Sequence, residues 1–299
     1  MPDNRNVVQA GTMFPPELVR DVFDKVKGHS TLARLCAAKP MSFSGIQEFV
    51  FTMEGEASFV AESGQKPAGK AAVAPVVIRP LKVIYQARVT EEFLRTTEER
   101  QISILTNYSE GFTKKIARAL DIGAFHGVDP ATKTATALIG DNCFDTIVTD
   151  TVTYDATAPD DNIDSAAQVL QTAEASITGI AMAPAFGGAL GAMKATGTGL
   201  AIYPEFRFGA DPGSFASIPS NINSTLSFNS SPDRAIIGDF AGAFRWGYAD
   251  QIRMEVIPYG DPDGLGDLKR TNEICLRSEA FFGWGILDAK SFVRIVQSA

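Results

Sequence analysis

FVFTMEGEASFVAESGQKPAGKAAVAPVVIRPLKVIYQARV, residues 49–89, decides how this chain is read. Two runs rich in β-branched and aromatic residues flank a Gly/Pro/Lys/Ala tip at residues 64–72, the pattern of a long β-hairpin. The tip is small and polar and has no apolar set to bury, so it is expected to project from the body. A projecting two-stranded arm is unstable unless something receives it.

Toward the N-terminus, Pro15 and Pro16 precede Glu17, and proline costs nothing in a first helical turn. Leu18, Val22, Phe23 and Val26 then follow helical spacing. One such amphipathic helix is marginal alone in water, so its apolar stripe must dock on this chain or on a neighbour. Toward the C-terminus, residues 91–127 are the longest helical text, with Ile102, Leu105, Phe112, Ile116, Ala119 and Leu120 at three- and four-residue steps. Its acidic start and basic end suit the helix macrodipole, and the pattern predicts an exposed helix with a single buried seam.

A Thr/Asp-rich stretch follows to Asn162, and Asp164 is expected to cap a helix carrying Ala166, Val169, Leu170, Ala173 and Ile177. Short strands at 179–182 and 200–203, around a Gly/Ala-rich segment at 186–193, predict a compact α/β unit. The last sixty residues read as strands: 238–258, 272–287 and 290–298, with a polar Gly/Asp/Pro loop at 259–269. There is no internal repeat and no low-complexity tract.

Across 299 residues, 45% hydrophobic and 21% charged composition is globular and sufficient for one sizeable core or two modest ones. With 27 basic against 35 acidic residues the net charge is −8, so contact with nucleic-acid phosphates is expected to be weak and non-specific. Cys36, Cys143 and Cys275 are too far apart for a disulfide framework or paired zinc ligands and read as thiols of a reducing compartment. The N-terminus lacks a basic region followed by an apolar run, and no stretch of eighteen apolar residues occurs. A cytosolic product without a membrane anchor is expected.

Convergent catalytic groups are few. The two histidines, His29 and His126, fall in a polar turn and at the end of the long helix, without an HExxH pairing, which favours surface or helix-terminal roles. Neither a GxSxG elbow nor a GxxxxGK[ST] loop occurs. Gly187, Gly188, Gly191, Gly197 and Gly199 lack the strand–GxGxxG–helix context of a nucleotide loop and read as turns and close packing. Asp160, Asp161 and Asp164 lack an EF-hand spacing and read as a solvated loop and cap. No enzyme, cofactor or metal site is expected.

The order of elements carries a resemblance. EASFVAESGQKP (56–67), TEEFLRTTEER (90–100), ALDIGAFHG (119–127), GDFAGAFRWGY (238–248) and RSEAFFGWGILDAKSFVRI (277–295) occur in the order of the E-loop, the spine helix and the closing strands of Hong Kong 97-type major capsid proteins of tailed bacteriophages. Over nearly its whole length the chain resembles that family. The resemblance implies an α+β fold with an N-terminal arm (1–45), a projecting E-loop hairpin (46–88), a P-domain with a long spine helix (89–145), an α/β A-domain (146–246) and returning P-domain strands (247–299).

It also implies a shell subunit of the virion, assembled in the host cytoplasm into hexamers and pentamers around the genome, with portal and decoration proteins as possible partners. An encapsulin-like nanocompartment is the alternative within the same fold; a soluble α/β enzyme is the alternative outside it. Many relatives carry a long helical scaffolding segment ahead of the arm, whereas Met1 stands only a few residues before the arm helix here, which implies a separate scaffolding protein, none, or a trimmed chain. Leu18, Val22, Gln65, Lys66 and Lys70 are the implied assembly residues. Some members join an E-loop lysine to a P-domain asparagine with help from a glutamate; by resemblance the candidates are Lys66 or Lys70, Asn272 and Glu279. Exposed lysines and strand-loop asparagines are commoner without that role.

Overall fold

The computed structural model describes residues 29–54, 57–60, 62, 64–65, 68–92, 98–249 and 253–298. The expected arm helix with Leu18 and Val22, and Lys66 at the hairpin tip, lie outside them. Ser30 opens a short helix α1 (Thr31–Leu35), its hydroxyl accepting from the Ala33 N–H as an N-cap.

The hairpin forms from β1 (Ile46–Glu54) and β2 (Lys70–Ile78), antiparallel from Ile46 opposite Ile78 to Glu54 opposite Lys70. The returning run does not continue to residue 89 in this ribbon. Pro80, which has no N–H to give a ladder, separates β2 from β3 (Leu81–Thr90), and β3 enters a different sheet. The extended text after the tip is therefore two strands, and the projecting ribbon ends at Ile78 rather than 88.

Helix α2 (Glu98–His126) has 29 residues, about 43 Å at 1.5 Å per residue. Of the expected seam, Leu105, Phe112, Ile116 and Leu120 are buried and Ala119 is half-buried; Ser109, not expected, is buried with them. From Leu120 to Phe125, however, every residue is buried. The single-seam reading fails there because other elements wrap the helix end; Gly123, for example, lies where a Cβ would strike the Trp284 ring.

Beyond α2 come α3 (Phe144–Ile147), β4 (Thr151–Thr153), α4 (Pro159–Thr172), β5 (Gly179–Met182), α5 (Pro184–Ala192), β6 (Ser214–Phe215), β7 (Ile218–Ile222) and β8 (Asp233–Gly238). The remainder is β9 (Phe244–Tyr248), β10 (Arg253–Ile257), α6 (Leu268–Thr271), β11 (Glu273–Ile286) and β12 (Phe292–Val296). Helix α4 starts at Pro159, not after Asp164: proline at N1 with Asp160 and Asp161 in the first turn outcompetes the later aspartate, and Ile177 falls beyond the helix. The strand expected at 200–203 reduces to one isolated bridge between Lys194 and Ala201.

Besides the ribbon there are two sheets. One joins β10, β11 and β3, with β9 pairing the far half of β11. The other has the order β4-β12-β8-β5-β7-β6. The C-terminal strand thus belongs to the same sheet as β4 to β8, and β9 to the sheet of β11, so neither 246 nor 247–299 marks a boundary between sheets. In the six-stranded sheet, Val293, Ile237 and Ile180 point under α4 and α5, whereas Phe292, Ile236 and Ala181 face the larger core with α1 and α2. Phe144 lies near the middle of that core, its ring 5.0 to 6.0 Å from those of Phe292, Phe125, Phe244 and Phe240.

Candidate assembly surfaces and a buried polar network

In the β1–β2 ladder, Gln47, Phe49 and Phe51 share one face with their partners Val77, Pro75 and Val73. All six are exposed, Phe49 to 66% and Phe51 to 56%. Every described residue from 57 to 69 is also exposed, Phe59 completely. The ribbon's base is fixed instead. Ile78 is buried, and Gly283 and Gly247, opposite each other in the β11–β9 ladder, admit the carbonyls of Arg79 and Lys39 where any Cβ would collide. The Lys39 and Met41 N–H groups donate to the Trp246 and Tyr248 carbonyls, each at 2.9 Å. Both legs of the arm are clamped to one pair of strands while the arm itself stands free.

Two further apolar tips occur elsewhere. Between β10 and β11, Arg88 gathers the loop: its Nε donates to Asp263 at 2.8 Å and its Nη1 to Glu273 at 3.0 Å. The Arg88 hydrogen bond holds the Asp263 carboxyl at about 2, and Tyr259 and Leu265 face solvent. At the far end of the six-stranded sheet, Leu200 and Phe208 are exposed, Phe208 in a left-handed conformation (φ 59°).

The molecule's polar interior is concentrated around the end of α2. Asp121, fully buried, accepts from Ser30 Oγ (2.5 Å), the Thr31 N–H (2.9 Å), the Leu32 N–H (3.2 Å) and Thr225 Oγ1 (3.0 Å). Burial raises its pKa to about 6 against the pull of these donors. One turn on, His126 Nδ1 lies 2.8 Å from Asp145 Oδ2 and Nε2 lies 3.1 Å from the Thr225 carbonyl. Arg294 of β12 then joins Asp145 (2.8 Å) to Asp233 (3.0 Å). Burial, followed by the neighbouring Asp145, pushes Asp233 up to about 7 against the attraction of Arg294. Burial alone would lower His126, but the hydrogen bond and charge of Asp145 outweigh it and the net displacement is upward. Burial acts to raise Asp145, and the His126 and Asp233 hydrogen bonds with the His126 and Arg294 charges bring it below its ordinary value.

His126, Asp145 and Asp233 are close enough to share a cation. Arg294 already supplies that positive charge between the carboxylates. His126 does end the long helix, as expected, but as a buried junction rather than a surface residue, and the sequence does not single out Asp121, Asp145, Asp233 and Arg294. A lone aspartate inside an otherwise apolar turn, DIGAF after Leu120, is the one local signal of such a role.

The implied assembly and crosslink residues are scattered. Gln65 is exposed in the loop, and Lys70 is the first residue of β2, exposed and opposite Glu54. Asn272 caps α6 in a left-handed conformation (φ 54°). Glu279 lies inside β11, paired with Lys82 at 2.8 Å, about 23 Å along the strand from Asn272. One subunit does not bring the two together. Gly187 and Gly191 pack α5 against Ile222 and the Phe206 carbonyl, and the three cysteines are buried free thiols. Among the described residues no helix is long and apolar enough to cross a membrane.

The model of the Phage capsid family matches residues 10–296. This chain belongs to that family. A solved structure from Mycobacterium phage Ogopogo is 30% identical over 90% of this chain and 92% of its own, with a TM-score of 0.77. One from Gordonia phage Cozz is 23% identical over 90% and 86% of the two chains, with a TM-score of 0.73. The capsid of a native GTA particle, computed with C5 symmetry, has a TM-score of 0.61 at 14% identity, covering 90% of each chain. No curated protein matches. The Hong Kong 97-type resemblance therefore stands at the level of family and mixed α/β fold, and the chain is a structural protein of the virion rather than an enzyme.

Proposed function

We propose that this is the major capsid protein of a tailed double-stranded DNA phage, building pentamers and hexamers of an icosahedral shell around the genome. The apolar face of the β1–β2 ribbon carries this reading. A two-stranded ribbon is marginal in water alone, and among the described residues nothing covers Phe49, Phe51, Val73 and Val77, which a neighbouring subunit would bury. Lapping of one subunit's ribbon over the next is a heterologous contact, which closes into rings when the rotation permits.

In this reading the ribbon is the E-loop, α2 is the spine helix, the sheet of β3, β10 and β11 is the P-domain and the six-stranded sheet is the A-domain. Leu18 and Val22 belong to an arm that docks on a neighbour, and Gln65, Lys66 and Lys70 to the tip contact. Packaged DNA is touched weakly, in keeping with the charge of −8; a scaffolding protein, a portal and decoration proteins are the expected partners.

Negative-stain imaging and size-exclusion chromatography of the expressed chain test the assignment. Capsomers or closed particles are the expected result. A small oligomer that never forms particles, with or without co-expressed scaffold, overturns it.

A further inference from the structure

Thr225 joins two buried charge centres into one chain of hydrogen bonds. Its hydroxyl donates to Asp121, which holds the N–H groups of Thr31 and Leu32 where α1 begins; its carbonyl accepts from His126, which holds Asp145 and, through Arg294, Asp233. The chain therefore runs from the root of the N-terminal arm, through the end of α2, to α3 and the strands β8 and β12. Both ring nitrogens of His126 face acceptors, a carboxylate oxygen and a carbonyl oxygen. A neutral imidazole has one donor and would set a lone pair against one of them, so only the imidazolium satisfies both.

The groups facing this ring are few: Asp145 from α3, Asp233 from β8, Arg294 from β12, the Thr225 carbonyl, and on α2 itself Asp121 beyond Thr225. Below about pH 7 Asp233 keeps its proton, and the imidazolium and the guanidinium both bind the Asp145 carboxylate. Removing the imidazolium proton takes away one of the two cations held by Asp145 and leaves an unmatched contact at 2.8 Å or 3.1 Å.

We propose that the His126–Asp145–Arg294–Asp233 cluster is a proton-operated latch, closed while His126 is an imidazolium, that fixes the end of the long helix and the arm root to the six-stranded sheet. Loss of the proton releases His126 from Asp145 or Thr225. Thr225 is committed on both sides, so its displacement is passed to Asp121 and the first turn of α1. Asp233, at about 7, sheds its own proton as pH rises, which sets a second carboxylate beside Asp145 against Arg294 and adds to the release. In a shell, which rests on the capsid reading, the latch sets the angle at which the arm leaves the subunit.

The chain has two histidines, so the ring signals of His126 are assigned by substituting the exposed His29. Histidine-selective 15N labelling of the full chain, titrated from about pH 5 to pH 9, is expected to show both His126 nitrogens still protonated above the ordinary imidazole range. Amide exchange, corrected for the intrinsic pH effect, is expected to accelerate tenfold or more in segments 30–36, 118–127, 143–149 and 223–236 over the His126 titration, while the sheet of β3 and β11 stays unchanged. Asp145→Asn is expected to bring the His126 titration down to or below the ordinary imidazole range.

A His126 that is already neutral within the ordinary imidazole range, or one that titrates without any change in exchange, overturns the latch. The unsubstituted chain decides both, even where Asp145→Asn does not fold. Particle formation is scored separately by imaging, so failure of the latch leaves the capsid assignment standing.

Discussion

Asp121 shows how much a single residue decides. Four close donors converge on its carboxylate, and asparagine would turn an NH2 group toward at least one of them. Asp121→Asn is expected to cost about 2–4 kcal/mol, read as a lower thermal midpoint. The pH dependence follows from the displaced groups. Asp121 at about 6 and Asp233 at about 7 keep protons that the unfolded chain releases near pH 4, and His126, raised, keeps one that the unfolded chain releases near its ordinary value. The native state thus binds more protons than the unfolded state, and stability falls as pH rises through these values. Asp145, Asp263 and Glu273, all depressed, act with the opposite sign, but only in acid below the ordinary carboxylate range. Scanning calorimetry is expected to give a thermal midpoint several degrees higher at about pH 6 than at about pH 8, a difference on the order of 1–3 kcal/mol. A flat profile contradicts the buried assignments. Gly283 makes a third residue-level case: Gly283→Val places side-chain atoms where the Arg79 carbonyl lies and is expected to cost about 1–3 kcal/mol and to loosen the ribbon's base.

Among the elements, the ribbon separates folding from assembly. Residues 70–72 already belong to β2, paired with Thr52, Met53 and Glu54, so deletion of the whole 65–72 tip would cut into the ladder. Replacing residues 55–69 by an Asn-Gly turn keeps the register and removes no residue of the ladder. The shortened subunit is expected to fold with an unchanged melting profile and to assemble poorly, as checked by circular dichroism and sedimentation. Phe49→Asp with Phe51→Asp is expected to behave the same way: both rings are solvent-exposed in the subunit, but covering them with a neighbour would desolvate two carboxylates at a cost of several kcal/mol. Normal particles from either variant refute the ribbon contact. Leu18→Asp with Val22→Asp tests the arm by the same logic, with loss of shell yield the expected outcome.

At the scale of the whole molecule, three apolar tips on different elements suit a subunit that touches several neighbours: the ribbon, the loop bearing Tyr259 and Leu265, and the turn bearing Leu200 and Phe208. Non-covalent contacts of this kind are expected to hold the shell. Glu279 is engaged by Lys82, and Asn272 is a helix cap whose carbonyl accepts from the Glu91 N–H at 2.7 Å. Boiled particles are therefore expected to give a single band near 32.0 kDa. A ladder abolished by Asn272→Asp or Lys66→Ala would show the crosslink instead.

The sequence by itself determined what depends on neighbours in the chain. Period-two runs around a small polar tip gave the ribbon, three- and four-residue steps gave α2 from Leu105 onward, and Gly/Asp/Pro content gave the loop before β11, because side-chain periodicity and turn chemistry are local. Only the tertiary structure decided which strand joins which sheet. β12 carries the same apolar text as β11, yet it lies beside β4 and β8 because Val293 and Ile295 find their cover under α4, more than a hundred residues earlier. The buried polar network was likewise out of reach: Ser30, Asp121, His126, Asp145, Thr225, Asp233 and Arg294 are spread over most of the chain. Each is ordinary where it stands in the sequence, and their charges matter only once folding excludes water from the point where they meet.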